Sequence, residues 1–382
     1  MPVFTRADGL IDLKSLSLPE IEAGLTGLGS ERFRALQVYK WLWQRGVASF
    51  DEMTNVAKSV RALLAERYYI SFLDVIAVQK SVDGTHKFVW QTEDGQRIES
   101  VLIPDDGRNT LCVSSQVGCA MACTFCLTGD LGLRRHLRPS EICNQPLQVR
   151  QRLDEQYRIT NVVMMGMGEP LHNIDNLIPA LEIYLDEQAL NFGHRKLTVS
   201  TVGLVPQLQR LAEALPVNIA VSLNATTDEQ RRSVMPITRK YSLEELMEAC
   251  RTLPLKATKR ITFEYVMMAG VNDSMADAQR LVKLMRGQKA KVNLIPYNEN
   301  PDRDIRRPTD ALVRQFQHHL VTHGIQASVR VTRGRDISAA CGQLGKADES
   351  KSRVDGDKIA AIRIRREGEG LDTSRFVFDD IV

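Results

Sequence analysis

From Thr110 onward, apolar, β-branched runs alternate six times with amphipathic stretches, and no other feature of the chain restricts its fold as strongly. The runs are TLCVSSQ, NVVMMGM, KLTVSTVG, NIAVSLNA, RITFEYVMMAG and KVNLIPYN, and helix-like segments lie at about 140–156, 174–188, 205–213, 242–253, 275–286 and 309–322. Near-continuous apolar strands separated by helices predict a parallel sheet covered by helices. Six units predict an α/β chain whose core is a partial (β/α)6 barrel rather than a complete eightfold one. Sites in such barrels are built at the C-terminal strand edges, where Gly168 with Glu169, Ser200, Asn224 and Asn298 fall.

The preceding residues have other periods. Residues 1–72 read as a small helical unit: Pro19 to Leu25, then a run capped by Ser30 through Phe33, Leu36, Val38, Trp41 and Trp43, then Val60 to Tyr69. Residues 73–104 alternate with period two around Asp83-Gly84 and Asp94-Gly95, which predicts a β-meander linker ending in IESVLIP. The barrel follows over 105–345, and a polar tail, KADESKSRVDGDK before IAAIRI, fills 346–382. A chain of 382 residues exceeds one small core, in keeping with two or three such units.

No apolar run suits a signal peptide or a membrane span, so a cytoplasmic protein is expected, with no membrane partner. Nothing in the sequence demands more than a monomer. A net charge of +3 says little about nucleic acid, but arginines cluster at 134, 135 and 138, at 231 and 232, at 303, 306 and 307, and at 330, 333 and 335. Seven cysteines, an odd count with three inside eight residues, point to metal or thiol chemistry rather than a disulfide framework.

Those three are Cys119, Cys123 and Cys126 of GCAMACTFC, spaced C-x3-C-x2-C directly after a predicted strand. Three thiolates on a tight loop hold either an iron–sulfur cluster or zinc. A structural zinc site wants four ligands, whereas His136 is ten residues on and Cys112 lies within the preceding strand. Three ligands to a four-iron cube leave one iron open to chelate the amino and carboxylate groups of a substrate.

A C-x3-C-x2-C motif at the start of a βα barrel resembles the radical S-adenosylmethionine superfamily. RNTLCVSSQVGCAMACTFC, GMGEPLHN, LTVSTVG, AVSLNA, PITRKY, NLIPYN and RGRDISAACGQL are similar, in the same order, to stretches of the RlmN/Cfr family of RNA adenine methyltransferases. FRALQVYKWLWQRGVASFDEMTNVAKSVR is similar to that family's RNA-binding helical unit, and coverage runs from about residue 25 to 345. The resemblance implies a [4Fe–4S] cluster on the three cysteines and two S-adenosylmethionine molecules per turnover. It implies as substrates a peptidyl-transferase-centre adenosine of 23S ribosomal RNA and the adenosine 3′ of the anticodon in some transfer RNAs. An electron donor such as a flavodoxin-type reductase system is a further implied partner.

Read alone, Cys341 in AACGQL is a small buried hydrophobe, and Cys112 simply faces the sheet core. The resemblance makes Cys341 the acceptor of a methyl group and Cys112 the thiol that forms a transient disulfide with it. Glu99 is either an exposed strand residue or, by resemblance, a base on the adenine adduct, a role for which Cys112 competes. GMGEP is by itself an ordinary βα turn; beside a cluster, Gly168 and Glu169 suit the ammonium of S-adenosylmethionine. Ser200 and the Ser222-Leu223-Asn224 run offer hydroxyl and amide groups for its ribose and carboxylate, and Asn298 suits its adenine edge. Cys143 and Cys250 lie in helix-like apolar runs and are read as core.

Carbon C2 of adenine is electron-poor and carries only hydrogen, so it does not attack a sulfonium methyl by displacement, whereas a thiolate does. A relay answers this: Cys341 takes the methyl, a 5′-deoxyadenosyl radical removes a hydrogen from it, and the methylene radical adds to C2. The target base must be unstacked to be reached, which favours a loop or junction in the RNA. Two other readings stay open, a Cfr-like enzyme methylating adenine C8 and a noncatalytic RNA-binding protein stabilised by zinc.

Overall fold

The computed structural model describes residues 3–256 and 259–345, and the tail over 346–382 lies outside the described residues. The chain opens with β1 (Ile11–Asp12), α1 (Leu18–Gly27), α2 (Phe33–Lys40), α3 (Lys58–Arg67) and β2 (Tyr68–Tyr69), which pairs parallel to β1. Ser17 starts α1 with a capping box in which Glu20 returns a bond to the Ser17 backbone. Ser30 does not cap α2, contrary to the sequence reading: the N-cap is Arg32, already helical in backbone, and the Ser30 hydroxyl is buried without a partner. Leu13, Ile21, Leu25, Val38, Leu42 and Trp43 bury the apolar stripe of these helices.

The meander forms as expected from β3 (Asp74–Lys80), β4 (His86–Gln91) and β5 (Arg97–Asp105). It does not stop there, because β5 pairs antiparallel with β6 (Arg108–Cys112). A small hairpin, β7 (Gln116–Gly118) and β8 (Leu133–His136), flanks the cysteine loop and the short α4 (Leu127–Asp130). The βα repeat then continues through α5 (Pro139–Arg150), β9 (Asn161–Met164), α6 (Ile174–Leu185), β10 (Leu197–Thr201), α7 (Val205–Ala214) and β11 (Asn218–Ser222). It ends with α8 (Asp228–Val234), α9 (Leu243–Thr252), β12 (Ile261–Met267), α10 (Met275–Leu284), β13 (Ala290–Pro296), α11 (Asp310–Thr322) and β14 (Ala327–Val329).

One ten-stranded sheet in the order β14-β13-β12-β11-β10-β9-β6-β5-β4-β3 carries meander and barrel together. The six expected strands are β6 and β9 to β13, each parallel to the next, and β14 adds a short seventh that the sequence pattern did not reveal. The order is linear, with β14 at one edge and β3 at the other, so the barrel is partial. The helical unit docks on α5 through buried polar contacts: Ser15 and Ser140 hydroxyls both donate to Asp12, and Lys14 donates to Asn144 Oδ1 at 3.0 Å. No helix among the described residues is long and apolar enough to cross a membrane.

Candidate active site at the strand ends

The cysteine loop owes its path to backbone geometry. Gly118 has φ +74°, and a Cβ there would lie 1.8 Å from the Gly132 carbonyl oxygen, so only glycine lets β7 close on the chain entering β8. Beyond it, the Cys119 N–H donates to that same carbonyl at 2.9 Å, and Ala122 turns through a left-handed conformation at φ +50°. Arg303 reaches in from beyond β13, donating to the Thr124 carbonyl, to the Cys126 carbonyl at 3.0 Å and to Asp130 at 2.5 Å.

Burial pushes the Cys119 thiol up to about 12 and raises Cys123 and Cys126 as well; the neighbouring thiols add to the shift at Cys119 and Cys123. Thiols so placed ionise when a cationic group compensates them, which fits an iron–sulfur cluster. Among the described residues no three His, Cys, Asp or Glu side chains are grouped closely enough for a single metal ion. His136 is engaged elsewhere, its Nδ1 lying 2.9 Å from Gln116 Nε2.

All three cysteines line a cavity of about 960 Å³, counting the part open to solvent, at the C-terminal ends of the parallel strands. Gly168, Glu169, Ser200, Ser222, Asn224, Asn298 and Cys341 line it too. Glu169 is held by backbone N–H groups, from Leu171 to Oε1 at 3.0 Å and from Val202 to Oε2 at 2.8 Å, and burial pushes its carboxyl up to about 7. Gly168 has φ +100° and lies so close to Gln116 that a Cβ would come within 2.5 Å of that side chain. Asn224 sits at φ +56° with Oδ1 accepting from the Val266 N–H at 2.8 Å. Leu223 is placed differently from its neighbours: its side chain is in the core, its N–H is taken by the Glu264 carbonyl and its own carbonyl accepts from Arg231. It therefore offers the cavity no side-chain or amide group.

Cys341 and Cys112 are free thiols at the same end of the barrel. The Cys341 carbonyl accepts from Asn298 Nδ2 at 3.1 Å. Burial, with a smaller contribution from Cys341, pushes the Cys112 thiol up to about 12. Arg330, at the end of β14, has its pKa raised first by Cys341 and then by Glu264 and Cys112. Glu99 is also buried; its Oε2 accepts the Gly345 N–H at 2.9 Å. Cys143 and Cys250 are core residues of α5 and α9, as expected.

The arginine clusters are only in part open to solvent. Arg231 is fully buried and donates to the carbonyls of Val202, Ser222 and Leu223 and to Thr238. Arg135 is paired with Asp94 and Glu141, Arg138 with Glu93, and Arg303 and Arg330 serve the site. Arg134, Arg232, Arg306 and Arg335 remain exposed. Glu264 lines the cavity and was missed, although a carboxylate inside RITFEYVMM was a visible signal; Met165 and Tyr297, also on the wall, carried none.

The sequence pattern of the Radical SAM superfamily matches residues 113–282, and that of the ribosomal RNA large subunit methyltransferase N-terminal domain matches 11–70. A dual-specificity RNA methyltransferase RlmN of Pelobacter propionicus is 53% identical over 342 residues, covering 89% of this chain and 97% of the relative. The chain belongs to the RlmN family. Its RlmN counterpart in Syntrophotalea carbinolica is 50% identical over 372 residues, 97% of this chain and 99% of the relative. The solved structure of a radical SAM methyltransferase from Sphaerobacter thermophilus matches this RlmN-family chain with a TM-score of 0.83 at 44% identity, over 87% of this chain and 98% of that one. As a member of the RlmN family it is a radical S-adenosylmethionine enzyme that uses a [4Fe–4S] cluster, and the three thiols lining the cavity fit that group.

Proposed function

We propose that this enzyme methylates C2 of adenine in RNA, acting on 23S ribosomal RNA at the peptidyl transferase centre and on transfer RNA at the adenosine 3′ of the anticodon. The observation that carries the reading is that Cys341 shares one cavity wall with Cys119, Cys123 and Cys126. Curated relatives about half identical over nearly their whole length are RNA methyltransferases. Residues 1–72 are assigned to RNA binding, 73–104 to linking and 105–345 to catalysis. The exposed Arg134, Arg232, Arg306 and Arg335 are available to phosphates. The enzyme works as a cytoplasmic monomer, reduced by a flavodoxin-type system.

Cys119, Cys123 and Cys126 hold the cluster, which with S-adenosylmethionine supplies the 5′-deoxyadenosyl radical. Glu169 and Gly168 bind the ammonium of S-adenosylmethionine, Ser200, Ser222 and Asn224 its ribose and carboxylate, and Asn298 its adenine edge. Cys341, as thiolate, displaces S-adenosylhomocysteine and keeps the methyl as a thioether. Once its carbon is bonded to C2 the adduct carries one unpaired electron, which would return to the cluster held by the three cysteines, and Glu99 accepts the C2 proton. Cys112 then attacks the Cys341 sulfur, forming an S–S bond; the electron pair of the broken C–S bond stays on the departing carbon, which takes a proton. The resulting disulfide is reduced before the next turnover. The nearness of Cys112 to Arg330 supports this, since the cation favours the thiolate against the burial that raises it.

Anaerobic incubation with methyl-labelled S-adenosylmethionine and unmodified ribosomal RNA tests the reading. It is expected to yield 2-methyladenosine by nucleoside mass spectrometry and a methylated Cys341 peptide. A product of 8-methyladenosine assigns the enzyme to C8, and an unmethylated Cys341 with no product overturns the relay.

A further inference from the structure

Lys87 is a lysine where the sheet has no ordinary use for one. It lies in the middle of the meander on β4, 2% exposed, and its Nζ is 3.9 Å from Glu99 Oε1. The register explains the meeting. Lys87 stands opposite Val101, Val101 stands opposite Cys112, and Val89 stands opposite Glu99. Side chains two apart on a strand share a face, so Lys87, Glu99 and Cys112 project from the same side of the sheet. The two oxygens of Glu99 differ: Oε2 accepts the Gly345 N–H at 2.9 Å, whereas Oε1, buried, has no hydrogen-bond partner among the described residues. Gly345 belongs to the segment that carries Cys341, and the same segment is held by Thr128, whose hydroxyl donates to the Leu344 carbonyl at 2.8 Å.

From this arrangement we infer that Lys87 is a positioning residue that keeps Glu99 charged, with Oε1 open as the proton acceptor, while Gly345 fixes the other oxygen. The inference rests on Glu99 being the base of the proposed reaction. A carboxylate this buried is disfavoured without a compensating cation, and burial does push Glu99 upward while Lys87 pulls it back. Other titratable groups face this end of the barrel: Cys112 from β6, Arg330 from just after β14, and Cys341 on the segment that carries Gly345. Among the described residues Lys87 is the group at ion-pair distance from Glu99. The bond broken in the step is C2–H of the adduct, and its proton goes to Oε1. Lys87 itself exchanges no proton.

The test uses the cluster-loaded enzyme and two readouts. Infrared titration, with Glu99→Gln to assign the band, follows the Glu99 carboxyl without any turnover. In Lys87→Met the protonated band is expected at neutral pH, where the unmodified enzyme shows carboxylate, and the acid limb of the product-formation pH profile moves up by at least one unit. Where that limb comes to lie about one unit above pH 7, about a tenth of Glu99 stays charged at that pH and product falls about 10-fold there. Lys87→Arg, which keeps the charge, is expected to restore both. If Lys87→Met does not fold, the unmodified enzyme still decides: a Glu99 protonated at pH 7 beside Lys87 overturns the inference. A Lys87→Met enzyme that folds and loads its cluster but leaves band and profile unmoved overturns it too. Should the unmodified enzyme make no methylated adenosine, the proposed reaction fails, and the infrared readout still reports on the pair.

Discussion

Asn298 donates Nδ2 to the carbonyl of Cys341 at 3.1 Å and accepts the Thr332 hydroxyl on Oδ1 at 2.9 Å. The end of β13 is thereby tied to the thiol proposed to receive the methyl group. Both halves of this amide are engaged inside the protein, so its first task is to hold the Cys341 segment against the cavity wall.

Asn298→Ala is therefore expected to slow methyl transfer onto Cys341 by about 5- to 10-fold, the equivalent of one lost hydrogen bond. The measurement is the rate of label appearing in the Cys341 peptide, with S-adenosylmethionine affinity determined separately. A rate that falls only in proportion to lost affinity leaves Asn298 as a cofactor contact and nothing more.

Arg303 makes the second prediction. Its guanidinium donates to two carbonyls of the cysteine loop and pairs with Asp130. A positive charge beside the Cys126 carbonyl favours the reduced cluster, because added negative charge is stabilised there. Arg303→Met is expected to move the cluster potential to more negative values and to speed cluster loss to a chelator, with Arg303→Lys in between. Redox titration followed by electron paramagnetic resonance reads the first effect. Unchanged potentials in both variants would assign Arg303 to loop packing alone.

How much of this was legible in the sequence depends on range. The six parallel strands announced themselves as apolar runs, and in β9 and β11, NVVM and NIAVS, the run follows burial on both faces. Strand β14, Ala327–Val329, is only partly buried at the sheet edge and left no such trace. Turn glycines located the meander, but the pairing of β5 with β6 is a tertiary fact that no period encodes. The three loop cysteines and Cys341, which line one cavity, stood out in the sequence as motifs. Arg231 and Arg330 were misread as surface charge, since a buried arginine that satisfies backbone carbonyls or faces thiols has the same one-dimensional signature as a solvated one.

The third prediction concerns pH. Glu169 is raised from its ordinary value of 4.5 to about 7, so it is neutral below that pH and carries its charge above it. An ammonium ligand needs the charged form, so S-adenosylmethionine affinity is expected to rise between pH 6 and pH 8 and level off above. In Glu169→Gln the affinity is expected to be at least 10-fold lower at pH 8, in line with a lost charge-assisted bond, and flat with pH. Equilibrium dialysis across that range is the check. The sign for stability is opposite: a carboxyl raised on folding favours the folded state below about pH 4.5, and that contribution is lost as pH climbs to about 7.

The fourth prediction separates two glycines that share a backbone conformation. Gly118 and Gly132 face each other across the entry to the cysteine loop, with φ +74° and +61°. A Cβ on Gly132 meets nothing within 4 Å, so Gly132→Ala carries only the left-handed strain of about 1–2 kcal/mol. A Cβ on Gly118 falls 1.8 Å from the Gly132 carbonyl oxygen, which is backbone and moves only if β7 and β8 part. Overpacking adds about 1–3 kcal/mol or more to the same strain. The carbonyl that must move is also the acceptor for the Cys119 N–H, so the damage reaches the first of the three cysteines proposed to hold the cluster. Gly118→Ala is expected to lose most of its bound iron and sulfide, and Gly132→Ala to keep nearly all of it with a modest fall in thermal stability. Equal iron contents in the two variants would mean that closure of β7 on β8 does not orient Cys119.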